Sequence, residues 1–220
     1  MSEQVGTVSD SSLDGFTEAL ASGRPTPGGG GAVAVAGAMA ASLSAMVVRL
    51  SIGRPRYEQH AELHAEALSA SDSARAQFLE LAQEDSAAYA AFRDARSMAH
   101  ESEAEEQARA AASRQAARLA AAVPLRIVQL CHRQMDLVER LAGRTNSAAA
   151  SDLDVAALLL EATARGAAAN VLVNLPAVED EGYSAASTAE LDQRLRQIQG
   201  AVARTRERVG RGGQREPESA

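Results

Sequence analysis

An acid and two amides stand where a helical apolar pattern has no use for them. In LAQEDSAAYAAF, residues 81–92, Leu81, Ala88, Tyr89 and Phe92 mark one face of a helix. Asp85 follows Leu81 by four residues and precedes Tyr89 by four, so its carboxyl projects toward that stripe. Glu84 sits about a third of a turn away. A carboxylate on an apolar face has a raised pKa and can act as general acid or base near neutral pH. The same placement also suits a structural carboxylate satisfied by an arginine or a helix N-terminus. Asn170 and Asn174, four apart in ANVLVNLP, share a helix face among Val171, Val173 and Leu175. Such amides either bond carbonyls and bridge helices, or present a donor and an acceptor to a ligand. Asp152 and Asp154 open the same helix, and Asp152 also suits an N-cap.

Other chemistries find little support. His60 and His64 have the i, i+4 spacing of metal ligands, but no third ligand and no HExxH pattern accompany them. Glu58, Glu62 and Glu66 make theirs a solvated face, so no metal site is expected. Cys131 and His132 are adjacent and point to different sides of a helix, a poor thiolate–imidazole pair. The sequence contains no lysine, which excludes Schiff-base chemistry.

The element that must position these groups begins at Pro25. Pro25 and Pro27 bracket Thr26, then Gly28, Gly29, Gly30 and Gly31 lead into a long uncharged run of Ala, Val, Gly and Ser. Glycines entering a helix leave orphan N–H groups unobstructed, a natural seat for an anionic or polar ligand. They equally suit a hinge, and the spacing is not that of a phosphate loop. The run has transmembrane length, but Ala, Gly, Ser42 and Ser44 make it weakly apolar and Arg49 follows at once. A buried, central helix of a soluble protein is the expectation.

Composition points the same way. Hydrophobic residues make up 46% of the 220 residues but aromatics only 3%, with alanine carrying the excess. That favours helices packed through small side chains over a sheet. A net charge of −7 argues against a dedicated nucleic-acid binder, and a lone cysteine with no visible signal peptide suggests the cytoplasm, with no membrane partner. The spacing predicts an all-α, single-domain bundle of roughly six to eight helices. Residues 1–10 read as a flexible N-terminus, 11–208 as the helical domain and 209–220 as a disordered tail. Ser11 or Ser12 caps a short helix with Leu13, Phe16 and Leu20 on one face. A longer pattern starts near Tyr57, softens at residues 69–73 and breaks at 94–100. A helix over 101–118 follows, and Pro124 either kinks it or opens the next. Ser151 or Asp152 caps the helix over 153–175, and Thr188 opens the last one.

Taken in order, PTPGGGGAVAVAGAMAASLSAMVVRLSIGR leading into Tyr57, then EDSAAYAAF, VPLRI, SDLDVAALLLEA and NVLVNL, resemble the formiminotetrahydrofolate cyclodeaminase / methenyltetrahydrofolate cyclohydrolase family. That family is known as stand-alone proteins and as the C-terminal half of formiminotransferase-cyclodeaminase. The similarity covers residues 13–198 or so. It implies an all-helical, homodimer-forming domain that binds a folate and works without metal or redox cofactor. The family's catalytic aspartate matches Asp85. The resemblance puts Gly28, Gly29, Gly30, Gly31, Asn170 and Asn174 at the folate cleft, with Asp152 a further substrate-binding candidate. Arg54 or Arg56 would meet the folate's carboxylates. Relatives often carry lysines after the glycine matching Gly53 and in a Pro-Lys pair after the aspartate helix; here the regions read GRPRY and DARSMAHES. Arginine cannot exchange a proton near neutral pH. The rival reading is therefore a non-catalytic folate- or anion-binding protein, which the missing lysines favour and Asp85 disfavours.

Overall fold

The structure, a computed structural model, describes residues 12–217; the flexible N-terminus expected over 1–10 and the last three residues lie outside that span. Among the described residues six α-helices form one bundle and no strand occurs: α1 Leu13–Ala21, α2 Gly29–Arg49, α3 Ala61–Arg96, α4 Glu103–Leu141, α5 Ala150–Asn174 and α6 Glu181–Arg211. Ser12 caps α1, its hydroxyl accepting from the Gly15 N–H at 3.0 Å. Of the expected apolar face of α1 only Phe16 is buried; Leu13 and Leu20 are exposed.

Helix α4 packs on α3, α5 and α6, while α2 packs on α3 and α5, touches α4 and leaves Met39 and Met46 exposed along its outer side. The lack of bulk in α2 sets the spacing. A Cβ on Gly37 would stand 2.6 Å from the Phe78 ring of α3, and one on Gly166 of α5 would stand 2.6 Å from Val33. Both distances are below any carbon–carbon contact, so these glycines let the helices close on one another. Residues 29–49 and 147–178 are long and apolar enough to cross a membrane by length and composition; roughly half of each apolar window is buried in the bundle.

Three expectations need correction. Helix α3 runs unbroken through residues 69–73, because Ser71 is buried and accepts from Gln134 Nε2 at 2.7 Å, while Ala67, Ala74 and Phe78 hold the helix to the core. The break falls at 97–102 rather than 94–100, since α3 continues to Arg96 and α4 starts at Glu103 behind a capping box of Ser102 and Glu105. Pro124 opens no new helix: α4 runs on through it to Leu141, past the end expected at residue 118.

The tail differs as well. Helix α6 extends to Arg211, and the chain beyond it docks on the C-terminal end of α4. The Arg215 N–H donates to the Gly143 carbonyl at 2.9 Å, and Arg144 Nε donates to the Glu216 carbonyl at 2.8 Å. The Arg215 guanidinium also meets the Glu139 and Ala142 carbonyls at 3.3 Å, where the helix dipole is negative. A stretch without apolar residues is thus held by backbone pairing and charge, which composition does not report.

Candidate active site

A cavity of about 320 Å³ opens at the N-terminal end of α2, lined by Pro25, Thr26, Gly28, Gly29, Gly30, Asp85, Tyr89, Phe92, Ala120, Asn170, Val173 and Asn174. The glycine segment, the α3 acid and the α5 amides, far apart in sequence, meet here. Gly28 is the N-cap of α2 and offers no side-chain acceptor to the first N–H groups of the helix. Asp85 supplies the acceptor from α3, receiving the Gly31 N–H. The fit depends on Gly30, where a Cβ would lie 2.2 Å from Asp85 Oδ1.

Two opposing influences act on this carboxyl. Burial raises its pKa, and the Gly31 N–H at the positive end of α2 lowers it; burial prevails, so the pKa is raised. No arginine pairs with Asp85 among the described residues. Its neighbour behaves oppositely. Glu84 forms a forked ion pair with Arg126, whose Nη2 donates to Oε1 at 3.3 Å. Of the two adjacent acids, Glu84 is the one satisfied by an arginine, and Asp85 is held by a backbone N–H instead.

The amides show how the cavity wall is built. Pro124 has no N–H, so the Ala120 carbonyl one turn earlier loses its helical donor. Asn174 Nδ2 fills that vacancy from α5 at 2.9 Å and also reaches the Asn170 carbonyl at 2.9 Å. Left unmade, that bond would cost about 1–3 kcal/mol if the carbonyl stayed dry. Asn170 Nδ2 donates back to the Gly166 carbonyl at 3.0 Å. Asn174 spends both amide hydrogens on backbone and Asn170 one of its two, so both Oδ1 atoms and one Asn170 N–H remain for other partners.

Several expected residues lie elsewhere. Arg54 lines a second cavity with Ile52, Tyr57 and Glu58, and Arg56 a cleft with Gly143 and Arg208. Both are beyond the far end of α2, roughly 30 Å from Gly29 at 1.5 Å per residue, so within one chain they do not reach Asp85. Asp152 stands in the first turn of α5, roughly 27 Å along the helix from Asn170. It caps nothing: the N-cap of α5 is Ala149, and Asn146 caps the 3-10 turn before it. His60 and His64 are buried rather than solvated, and His64 Nε2 bonds the Arg144 carbonyl at 2.9 Å. Among the described residues no group of three His, Cys, Asp or Glu is placed to hold a metal ion. Cys131 is fully buried, which pushes its thiol far above its ordinary pKa. Tyr89, expected inward, is 43% exposed and forms cavity wall. Thr26 and Ala120 were not legible as cavity residues, although Pro124 was the available signal for Ala120.

A helical bundle that sets one half-buried, unpaired carboxyl on a glycine helix end, in a cavity bordered by two amides, has the machinery of an all-α acid/base enzyme. The chain belongs to the formiminotransferase-cyclodeaminase family, whose sequence model matches residues 12–193. It is 35% identical over 192 residues to the methenyltetrahydrofolate cyclohydrolase of Methylorubrum extorquens, covering 87% of this chain and 88% of that protein. It is 31% identical over 174 residues to the mouse formimidoyltransferase-cyclodeaminase, covering 79% of this chain and 32% of that protein. The chain thus spans about a third of the animal protein's length. The crystal structure of formiminotetrahydrofolate cyclodeaminase from Thermotoga maritima superposes with a TM-score of 0.84 at 30% identity, covering 92% of this chain and 98% of that one.

Proposed function

We propose that this protein is a folate enzyme acting on the N5/N10 one-carbon bridge of tetrahydrofolate, with Asp85 as its acid/base. The observation that carries the reading is the Asp85 carboxyl itself, raised in pKa, unpaired and set on the Gly30–Gly31 helix end inside a cavity. In hydrolysis of 5,10-methenyltetrahydrofolate, water adds to the cationic bridge carbon and Asp85 takes the proton released. Asp85 then returns that proton to N5 as the carbon–N5 bond breaks, and the remaining hydroxyl proton passes to solvent, leaving the 10-formyl product. In the cyclodeaminase direction N10 attacks the formimino carbon on N5. The same carboxyl takes the N10 proton and gives one to the departing ammonia. An ionised Asp85 also favours the cationic bridge electrostatically. Both are proton transfers around carbon–nitrogen bonds, so the reading assigns no metal or redox cofactor.

Hydrolysis is favoured by the relative that matches this chain over nearly the full length of both proteins. Cyclodeamination is the second reading, favoured by the fold match to the Thermotoga maritima enzyme. Following the methenyl chromophore separates them. Purified protein consuming methenyltetrahydrofolate is a cyclohydrolase, and protein forming it from 5-formiminotetrahydrofolate is a cyclodeaminase. A flat trace in both overturns the enzymatic reading and leaves a folate-binding protein.

The reading includes a cytoplasmic homodimer. Met39, Met46 and Leu50 are exposed along α2, and Val155, Leu158 and Leu172 are exposed on α5, which packs against it. Two such faces related by a twofold axis would cover each other. Analytical ultracentrifugation should give a dimer, and Met39→Glu with Met46→Glu a monomer; a wild-type monomer at micromolar concentration refutes this assembly.

A further inference from the structure

Beside the Asp85 cavity lies a second cleft, which carries positive charge. This cleft, about 300 Å³, is lined by Phe92, Arg96, Arg109, Ala110, Ser113, Arg114, Ala177 and Glu179. Phe92 belongs to the wall of both, so the two spaces adjoin at that residue. The helical period explains the alignment. Asp85, Tyr89, Phe92 and Arg96 are spaced i, i+4, i+7 and i+11, which puts them on one stripe of α3. Phe92 lies roughly 10 Å and Arg96 roughly 16 Å along the helix from Asp85, at 1.5 Å per residue. On α4, Ala120 borders the first cavity while Ser113 and Arg109, on the same face, border the second.

The charges in the cleft are unevenly satisfied. Arg114 Nη1 pairs with Glu179 at 3.2 Å. Arg109 forms no ion pair among the described residues, and Arg96 forms none either, its guanidinium lying 5.8 Å from the Phe92 ring centroid. Two arginines left without acids, at the end of a stripe that starts at the reacting carboxyl, suit an anion on the distal part of the substrate. Resting on the folate reading above, we propose that Arg96 and Arg109 bind the carboxylates of the substrate's glutamate tail. The one-carbon bridge sits at Asp85 and the benzoyl ring passes Tyr89 and Phe92. Arg54 and Arg56, at the other end of the bundle, have no part in holding the tail within one chain.

The test compares the bridge substrate that the enzyme turns over with its pteroate analogue, which lacks the glutamate. For the Arg96→Ala/Arg109→Ala double variant, KM for the glutamate-bearing substrate should rise about tenfold or more while kcat stays within about twofold. For the pteroate analogue, KM of wild type and variant should agree within about twofold, because the contact is absent from both. A KM rise of equal size on both substrates overturns the assignment, as does no rise on either. Should the wild type turn over neither compound, equilibrium binding of tetrahydrofolate against tetrahydropteroate decides the matter separately. A preference for the glutamate form that the double variant loses upholds the subsite while the catalytic reading falls. Absence of that preference in the wild type overturns the subsite.

Discussion

Asp85→Asn should lower kcat by roughly two to four orders of magnitude, the range typical of a positioned general acid/base. The substitution is close to isosteric, and its amide oxygen can still accept the Gly31 N–H. What is lost is proton exchange and negative charge, so substrate binding should suffer far less than turnover. Stability should move the other way. Because the folded-state pKa of Asp85 is raised, the folded protein holds this proton more tightly than the unfolded chain does. The stability linked to it is fully present below the unfolded pKa and is lost as pH rises through the folded one. At neutral pH the wild type therefore carries the cost of a partly buried charge that the asparagine variant avoids. Thermal melting from acid to neutral pH should show the variant gaining on the wild type across that window, then a constant difference above it. The same ionisation should shape the rate. If Asp85 accepts water's proton, kcat/KM for hydrolysis rises with pH through the raised pKa. A variant that keeps full activity, or that is destabilised at neutral pH, would remove Asp85 from its assigned role.

Asp85 was legible because helical periodicity alone puts its carboxyl against the Leu81–Tyr89 stripe. Glu84 shows the limit of that argument, since only the fold reveals Arg126 forty-two residues on as its ion-pair partner. The α2 core was legible for a similar reason: an uncharged run of small residues has few other places to go. What the sequence could not report was which residues share an end of the bundle. Arg54 follows the glycine helix closely in sequence yet lies a full helix length from its N-terminus. Arg96 falls in the stretch read as a break and Arg109 in the helix after it, and they come together because α3 and α4 pack side by side. The histidines misled in the opposite sense. Three glutamates around His60 and His64 suggested water, but the helix face between those acids turns inward. Pro124 and Asn174 form the most instructive pair. Each looked like a local matter, a kink and an amide at a helix end. In the fold, the donor that one helix lacks is supplied by the other.

Gly30→Ala should abolish most activity while leaving the fold intact, and the adjacent glycines provide the control. Alanine is the better helix former by about 0.5–1 kcal/mol in a helix interior, and in this first turn of α2 the gain is smaller. Its Cβ would come within 2.2 Å of Oδ1 and 2.4 Å of the carboxyl carbon, so the Asp85 carboxyl must swing away. The swing breaks the contact with the Gly31 N–H and moves the reactive oxygens by an ångström or more. Misplacement on that scale costs on the order of a hundredfold in rate. At the other positions a methyl group meets only ordinary contacts. A Cβ on Gly28 lies 3.6 Å from the Pro25 carbonyl oxygen, one on Gly29 3.9 Å from Asn170 Nδ2, and one on Gly31 3.5 Å from Pro27. Alanine there should leave kcat within a few-fold of wild type, since no reacting group is displaced. The four single variants, assayed side by side with circular dichroism as a check on folding, separate two uses of a glycine run. A loss confined to Gly30→Ala means that the segment exists to let a carboxylate lie against backbone. Equal losses at all four would mean that the run serves as a hinge, and the close approach of Asp85 would then be incidental to catalysis.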